Sequence, residues 1–404
     1  MPTDKANAET GAPKSRQAAA IVRVVDSIAA ISAADWDACA NPDAATHNPF
    51  VSHAFLSALE TSGSVGPGSG WLPRHLALED DAGGISATAP CYVKTNSQGE
   101  YVFDHNWADA YEQAGGRYYP KLQLAVPFTP VPGPRLLAKP GPRQHADQQA
   151  LAAGAIAFAE QAGFSSIHIT FTDRDLQSRL APQGYLARTG QQFHWHNRGY
   201  QSFEDFLSVL ASRKRKAIRK ERLDAVRGGA LTIEQITGSD ITEAHWDAFY
   251  RFYIDTGNRK WGRPYLNRAF FSQLGAAMAE RCLLVLVKRD GATIAGALNL
   301  IGGDCLYGRY WGAIEQHPCL HFEVCYYQAI DYAIAHGLAR VEAGAQGEHK
   351  LARGYVPVET YSAHWIADDG LRRAVDHFLK RERRAVTEIN SSLDALGPYR
   401  REGD

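Results

Sequence analysis

Between positions 344 and 350 the chain reads Gly344-Ala345-Gln346-Gly347-Glu348-His349-Lys350. Three small residues let the main chain approach a ligand, and three ionisable side chains follow at once. Such a set can carry proton transfer and charge stabilisation. Glu348, or Glu342 just upstream, can serve as a base, His349 can relay a proton, and Lys350 can clamp an oxyanion. No covalent nucleophile accompanies them: GxSxG does not occur, and no cysteine sits in a nucleophile motif. The plain alternative is a solvated turn held by Lys–Glu pairing.

Two further stretches invite a chemical reading. Residues 212–222 (SRKRKAIRKER) carry seven basic side chains against one glutamate. On a helix Arg215, Arg219 and Arg222 share a face, with Lys216 and Lys220 beside it. Arg213, Lys214, Arg215, Lys216 and Arg219 are therefore candidate phosphate ligands, against the simpler reading of a solvated amphipathic helix. His317, Cys319, His321 and Cys325 resemble metal ligands, but around Pro318 the first three point different ways, so no metal site is expected.

These groups need elements to hold them, and 404 residues are enough for two domains. With 45% hydrophobic and 22% charged residues the chain reads as globular, and a net charge of −1 leaves only local patches to attract phosphate. Mean hydropathy is −0.32, and the most apolar run, 282–301, is broken by Lys288-Arg289-Asp290, so no membrane span is expected. The first residues lack an apolar core, and the six cysteines form no CxxC pair. A reduced, cytoplasmic protein follows as the expectation.

In the second half, 231–237 alternates as a strand, and two helices follow, over 240–255 and after the N-cap residue Asn267. Three strands (282–288, 293–301, 305–311) are separated by Asp290-Gly291 and Gly302-Gly303-Asp304. A helix over 320–336 closes at Gly337; then come a strand at 340–344, a turn at 347–354 and a strand at 361–366. The first half reads in the same order: strands at 21–25, 74–78, 86–93, 101–103, 122–126, 166–171 and 193–196, with a helix at 146–162. Gly184-Tyr185 and His194-Trp195 recur as Gly354-Tyr355 and His364-Trp365 at one spacing of 170 residues, which points to internal duplication.

This β-α-α-β-β-β-α-β order resembles the GNAT N-acyltransferase fold. DHNWADAYEQAGGRYYPKLQLAVPFTPVPGPRLL (104–137) and HFEVCYYQAIDYAIAHGLARVEAGAQGEHKLARGYVPVETYSAHW (321–365) resemble the FemAB-like peptidoglycan biosynthesis or recognition family. The resemblance implies an α/β protein of the α+β type, with two tandem GNAT-like domains, each a mixed, mostly antiparallel sheet flanked by helices. The divisions expected are a disordered tail at 1–19, a first domain at 20–200, and a second at 201–390. The second opens on a basic linker helix at 203–227, and a frayed end covers 391–404.

The resemblance further implies a transferase that moves an acyl or aminoacyl group from aminoacyl-tRNA or acyl-CoA to an amine by direct attack. Lys350 matches the position of a functionally important lysine of Fem-type enzymes, and Tyr310 is placed to donate to the bound acyl group. Arg309, Trp311, Arg353, Trp107, Lys121 and Arg135 are the expected substrate contacts. Neither half carries the [RQ]xxGx[GA] loop that cradles CoA pyrophosphate, which tilts the donor toward aminoacyl-tRNA. No tightly bound cofactor is expected. The competing reading is a non-catalytic module that recognises a cell-wall precursor or peptide in the interdomain cleft.

Overall fold

The computed structural model describes residues 21–227, 231–260, 264–344 and 347–400, and of residues 258–260, 348, 394 and 395 the backbone alone. The tail at 1–19 and the last four residues of the expected frayed end lie outside them. The strands are β1 (Val22–Val25), β2 (Trp71–Pro73), β3 (His75–Glu79), β4 (Ile85–Ala89), β5 (Cys91–Lys94), β6 (Lys121–Leu124), β7 (Leu137–Ala138), β8 (Ser166–Thr172) and β9 (Leu186–His196). The second half adds β10 (Leu231–Thr237), β11 (Cys282–Arg289), β12 (Ala292–Ile301), β13 (Cys305–Ala313), β14 (Arg340–Glu342) and β15 (Val356–Ile366).

The strand expected at 86–93 is two strands, because Pro90 has no N–H to give a ladder. On either side of that break β3 pairs with β4 and β2 with β5, so one bent hairpin serves two sheets. The strand expected at 101–103 does not form; Tyr101 sits at φ 60 and the helix His105–Gln113 follows. The second-half meander forms as the turn residues require, with Cys282–Arg289 and Ala292–Ile301 flanking Asp290-Gly291. Asn267 caps the helix Arg268–Met278 by accepting from the Phe270 amide at 3.0 Å, and that helix buries Phe270, Phe271, Leu274 and Met278.

β1-β3-β4-β7 form a four-stranded sheet, and the other strands form one of eleven, ordered β10-β11-β12-β13-β14-β9-β15-β8-β6-β5-β2. The last strand of each half therefore lies in the other half's territory. β9 pairs with β14 through His194↔Glu342, and β15 pairs with β8 through His364↔His168. The chain crosses between halves near residue 200, but the hydrogen-bonded sheet does not divide there. The two halves also share a core, with Phe50 edge-on to Tyr307 and Phe55 edge-on to Phe270.

The linker region expected as one helix is two, Phe203–Ser208 and Ser212–Ala225. The end expected to fray past residue 390 is instead ordered: one helix runs Asp369–Ala395, and the Tyr399 hydroxyl donates to the Gly354 carbonyl at 2.7 Å. No disulfide joins the cysteines, and no helix among the described residues is long and apolar enough to cross a membrane.

Candidate active site

β13 and β14 run parallel while Cys305, Leu306 and Tyr307 face Arg340, Val341 and Glu342, and then they part. The cause lies one strand away. Leu298 faces Tyr310 but Asn299 faces Gly308, so Arg309 is an extra residue in β13, and such a bulge bends its strand. The parting opens a cavity of about 120 Å³ walled by Gly308–Trp311, Ala343, His321 and Tyr326. Trp311 and His321 also wall a neighbouring cavity of about 320 Å³ that holds Glu315 and His317.

Facing the parting, the helix that starts at Leu320 passes through a π-helical turn over Glu323–Tyr327 before regular helix resumes at Gln328. Such turns reorient side chains and recur at functional sites. Here the turn brings Tyr326 to the cavity wall, with its hydroxyl 2.8 Å from His349 Nε2. Burial pushes the Tyr326 hydroxyl up. Burial, with Arg353 and Lys350 nearby, pushes the His349 imidazole down, so both groups are neutral at pH 7. Which of the two donates depends on the imidazole tautomer; with the hydrogen on Nε2, His349 donates to the tyrosine oxygen and the Tyr326 O–H is left to point into the cavity. His349 thus reaches the cavity through Tyr326.

Lys350 does not face the cavity as an oxyanion clamp. Its Nζ donates to the Ala343 carbonyl at 2.5 Å and the Gly344 carbonyl at 2.9 Å, and it is 3% exposed. It fixes the main chain just beyond β14, where the cavity wall begins. Burial lowers its pKa to about 8. The backbone of Glu348 lies in the 3-10 turn Glu348–Arg353, and its side chain, like Ala345 and Gln346, lies outside the described residues.

Glu342 is buried at the point of parting, on the face toward the first half. Its Oε1 accepts from Arg340 Nε at 3.2 Å, while Oε2 has no hydrogen-bond partner. Burial raises its pKa to about 7 against the opposing pull of Arg340.

Arg309, Tyr310 and Trp311 all line the cavity, as the resemblance implied for that strand end. Arg309 also crosses to the first half, where its Nη2 donates to the Phe128 carbonyl at 2.7 Å. The other expected substrate contacts are engaged inside the protein. Arg353 is bidentate to Glu221 and lies 3.4 Å over the Phe322 ring. Arg135 is fully buried and donates to the Val131 and Pro134 carbonyls. Lys121 is fully buried against Glu100, Asp104 and Ser97, and Trp107 packs edge-on to His364. Lys121 and Arg353 are thus committed to carboxylates, while Arg135 keeps its Nε without a partner but holds it inside the protein.

The basic helix divides the same way. Arg219 pairs with Glu204, and Arg222 with Glu323 and Asp331. Arg215 leans on the Ser208 and Leu210 carbonyls at 3.4 and 3.5 Å. Arg213 and Lys216 are exposed and Lys214 is half-buried. The face expected to bind phosphate as a block is partly consumed in holding the helix down.

Tyr326 is the cavity residue to which sequence reasoning gave no chemical role. The pair Tyr326-Tyr327 reads as core or cleft wall, and the structure puts Tyr326 on the cavity wall and buries both. The signal that separates them is the π turn, and periodicity does not reveal it.

The sequence matches the FemAB-like family, described as peptidoglycan biosynthesis/recognition, over residues 27–401. No curated protein matches it. Among solved structures, FemX is 14% identical, with a TM-score of 0.54 over 86% of this chain and 98% of its own. A C-terminal DUF2156 domain from Agrobacterium fabrum is 10% identical, with a TM-score of 0.53 over 86% of this chain and 96% of its own. A tandem GNAT protein from the clavulanic acid biosynthesis pathway is 10% identical, with a TM-score of 0.46 over 86% and 99%. The first two likenesses show the same fold.

Proposed function

This chain belongs to the FemAB-like family, and we propose that it transfers an acyl or aminoacyl group from an activated ester to an amine at the parting of β13 and β14. The observation that carries this reading is the Tyr326 hydroxyl on the cavity wall, 2.8 Å from a neutral His349. The acceptor nitrogen attacks the ester carbonyl, the C–N bond forms, and the C–O bond of the donor breaks. The leaving oxygen takes the Tyr326 proton, and His349 connects that hydroxyl to the outside. A bulge leaves its extra residue outside the ladder, so the Arg309 main chain is the natural oxyanion donor. No covalent enzyme intermediate and no tightly bound cofactor take part.

Two features support aminoacyl-tRNA as donor. The connection after β13 carries Glu315, held by Arg289 and His317, and places Cys319 rather than glycine at φ 59, a poor cradle for pyrophosphate. Arg213 and Lys216 stand exposed on the helix packed beside it. The family description supports a peptidoglycan precursor as the amine acceptor, and a cytoplasmic reaction is the part of this reading that goes with an aminoacyl-tRNA donor.

The test is transfer to amine-bearing cell-wall precursors, read by mass spectrometry with aminoacyl-tRNA and with acyl-CoA. Tyr326→Phe is expected to lower kcat by about 10²-fold with KM unchanged, the size of a lost acid–base group. Unchanged kcat in that variant would remove Tyr326 from the reaction. Tight precursor binding without transfer from either donor would replace the enzyme with a recognition module.

A further inference from the structure

Glu342 sits where both halves meet. Its Oε1 is held by Arg340, which also donates to Asp304 at 2.5 Å. Its Oε2 is buried without a hydrogen-bond partner and lies 3.9 Å from His194 Nε2. His194 belongs to β9, the strand that the first half contributes to the second half's sheet.

The protonation state of that histidine can be assigned from its neighbours. The Gln192 amide nitrogen donates to the Pro130 carbonyl at 2.7 Å, so the amide oxygen is the atom facing His194 Nε2, at 3.1 Å. An oxygen there accepts, which puts the imidazole hydrogen on Nε2. Burial lowers the His194 pKa to about 3, so the ring is neutral. His194 Nε2 thus gives its one hydrogen to Gln192, and Glu342 Oε2 lies 3.9 Å from the same nitrogen, so the ring faces that oxygen as a dipole and not as a hydrogen-bond donor. Gly308 and Ala343, the next residues on the two parting strands, line the cavity, so Glu342 stands one residue from its wall along β14.

We propose that Glu342 accepts the proton of the attacking amine, and that His194 and Gln192 are positioning residues from the first half that aim its free oxygen. The inference rests on the transfer reading above and adds the missing proton acceptor to it. When the C–N bond forms, the ammonium proton passes through a bridging water to Glu342 Oε2, and the donor's leaving oxygen is protonated separately from Tyr326. The charged groups facing Glu342 are Arg340 on its own strand, Asp304 in the turn before β13 and Arg135 from the first-half loop; the titratable groups beside it, Cys305 and Tyr307 on β13 and His194 on β9, are neutral. A base must be ionised to act, so activity rises with pH through the Glu342 titration. Removing the His194 dipole disfavours the carboxylate and moves that limb to higher pH.

The experiment combines kinetics with infrared titration of the full-length protein. Glu342→Gln is expected to lower kcat about 10²-fold, leave both KM values and the melting temperature near wild type, and abolish the limb near pH 7. His194→Ala should move the limb to higher pH, and His194→Gln, which restores an N–H dipole, should move it back. The protonated-carboxyl stretch that Glu342→Gln removes should titrate in parallel, a readout that needs no turnover. Full activity in Glu342→Gln, or a limb that persists in it, overturns the proton acceptor. A titration indifferent to His194 overturns the positioning. Wild-type protein that transfers nothing defeats the parent reading instead, and the infrared titration then still decides whether His194 governs Glu342.

Discussion

The two halves part their strands in the same place and do different things with the gap. In the first half, β6 and β8 run parallel with Leu122, Gln123 and Leu124 facing Ile167, His168 and Ile169, and then separate as β13 and β14 do. The chain itself fills that first gap. Residues 127–135 pack into it, with the Gly133 amide donating to the Phe171 carbonyl at 2.9 Å and Gln192 holding Pro130. Thr129, Val131 and Arg135 are buried there. The segment carries four prolines, which cannot donate to a ladder, so it packs as a plug rather than pairing as a strand. In the second half the corresponding gap is left as a cavity. Shared topology does not make a site; what the chain does with the gap decides it.

The largest expected effect tests whether the first half serves stability rather than chemistry. Lys121 is the hub of a buried cluster with Glu100, Asp104 and Ser97, and Lys94 stands 3.9 Å from Glu100 at its edge. Lys121→Met leaves buried Asp104 without its lysine and Glu100 with Lys94 alone, at a cost of about 3–5 kcal/mol. Chemical denaturation should show that loss, while kcat per folded molecule stays near wild type. A selective fall in kcat with stability intact would move chemistry into the first half and break the comparison.

Filling the second gap comes next. Ala343→Leu puts new atoms into a 120 Å³ cavity and should lower transfer by about 10²-fold through misplaced substrate. The melting temperature should change little, because the added carbons occupy open space. The opposite change in the first half, Val131→Ala, should cost about 1–2 kcal/mol of packing and open no new activity. Transfer that survives Ala343→Leu would mean the reacting carbonyl lies elsewhere.

Lys350 sharpens the contrast, since it holds the open gap from behind. Lys350→Met removes the donor from the Ala343 and Gly344 carbonyls and should cost about 1–3 kcal/mol. The pH dependence has a fixed sign. Burial lowers this lysine to about 8, below the roughly 10.4 of an unfolded chain, so the unfolded state binds more protons between those values. The lysine's contribution therefore rises with pH across that window and is lost as pH falls through 8. The stability difference between wild type and Lys350→Met should widen from pH 8 to 10. A difference that narrows would show the ammonium, not the amine, to be the favoured buried form.

Much of this was legible in the residues, and the exceptions have physical reasons. The meander from Cys282 and the Asn267 cap follow from turn residues and alternation, whereas Arg309, Tyr310 and Trp311 as cleft residues follow from the resemblance to a fold whose strands splay at that edge. The exchange of β9 and β15 does not, because alternation shows that a strand is half-buried but not which neighbour it pairs with. Lys350 was located but its role was not, since a loop lysine looks the same in sequence whether it faces a ligand or two carbonyls. Arg135, Lys121 and Arg353 read as substrate contacts because burial is a property of the fold. Trp195 and Trp365, the marks of duplication, predicted two matching halves and gave no hint that only one gap stays open.

The smallest effect concerns the surface beside the open gap. Of the basic side chains on the helix Ser212–Ala225, Arg219 and Arg222 are spent on Glu204, Glu323 and Asp331. Arg213 and Lys216 are not, and they stand one turn apart on the exposed side. If a polyanionic donor lies along this helix, each contact releases about one condensed counterion, so Arg213→Glu and Lys216→Glu should each flatten the salt dependence of donor affinity by about one unit of slope. Arg219→Gln should act instead through the hold on Glu204 and leave the slope unchanged. The same variants should leave transfer from a short aminoacyl-oligonucleotide untouched, because the cavity at the parting does not depend on them. A slope lost through Arg219→Gln and kept through Arg213→Glu would reverse the division between cations that bind phosphate and cations that bind the protein.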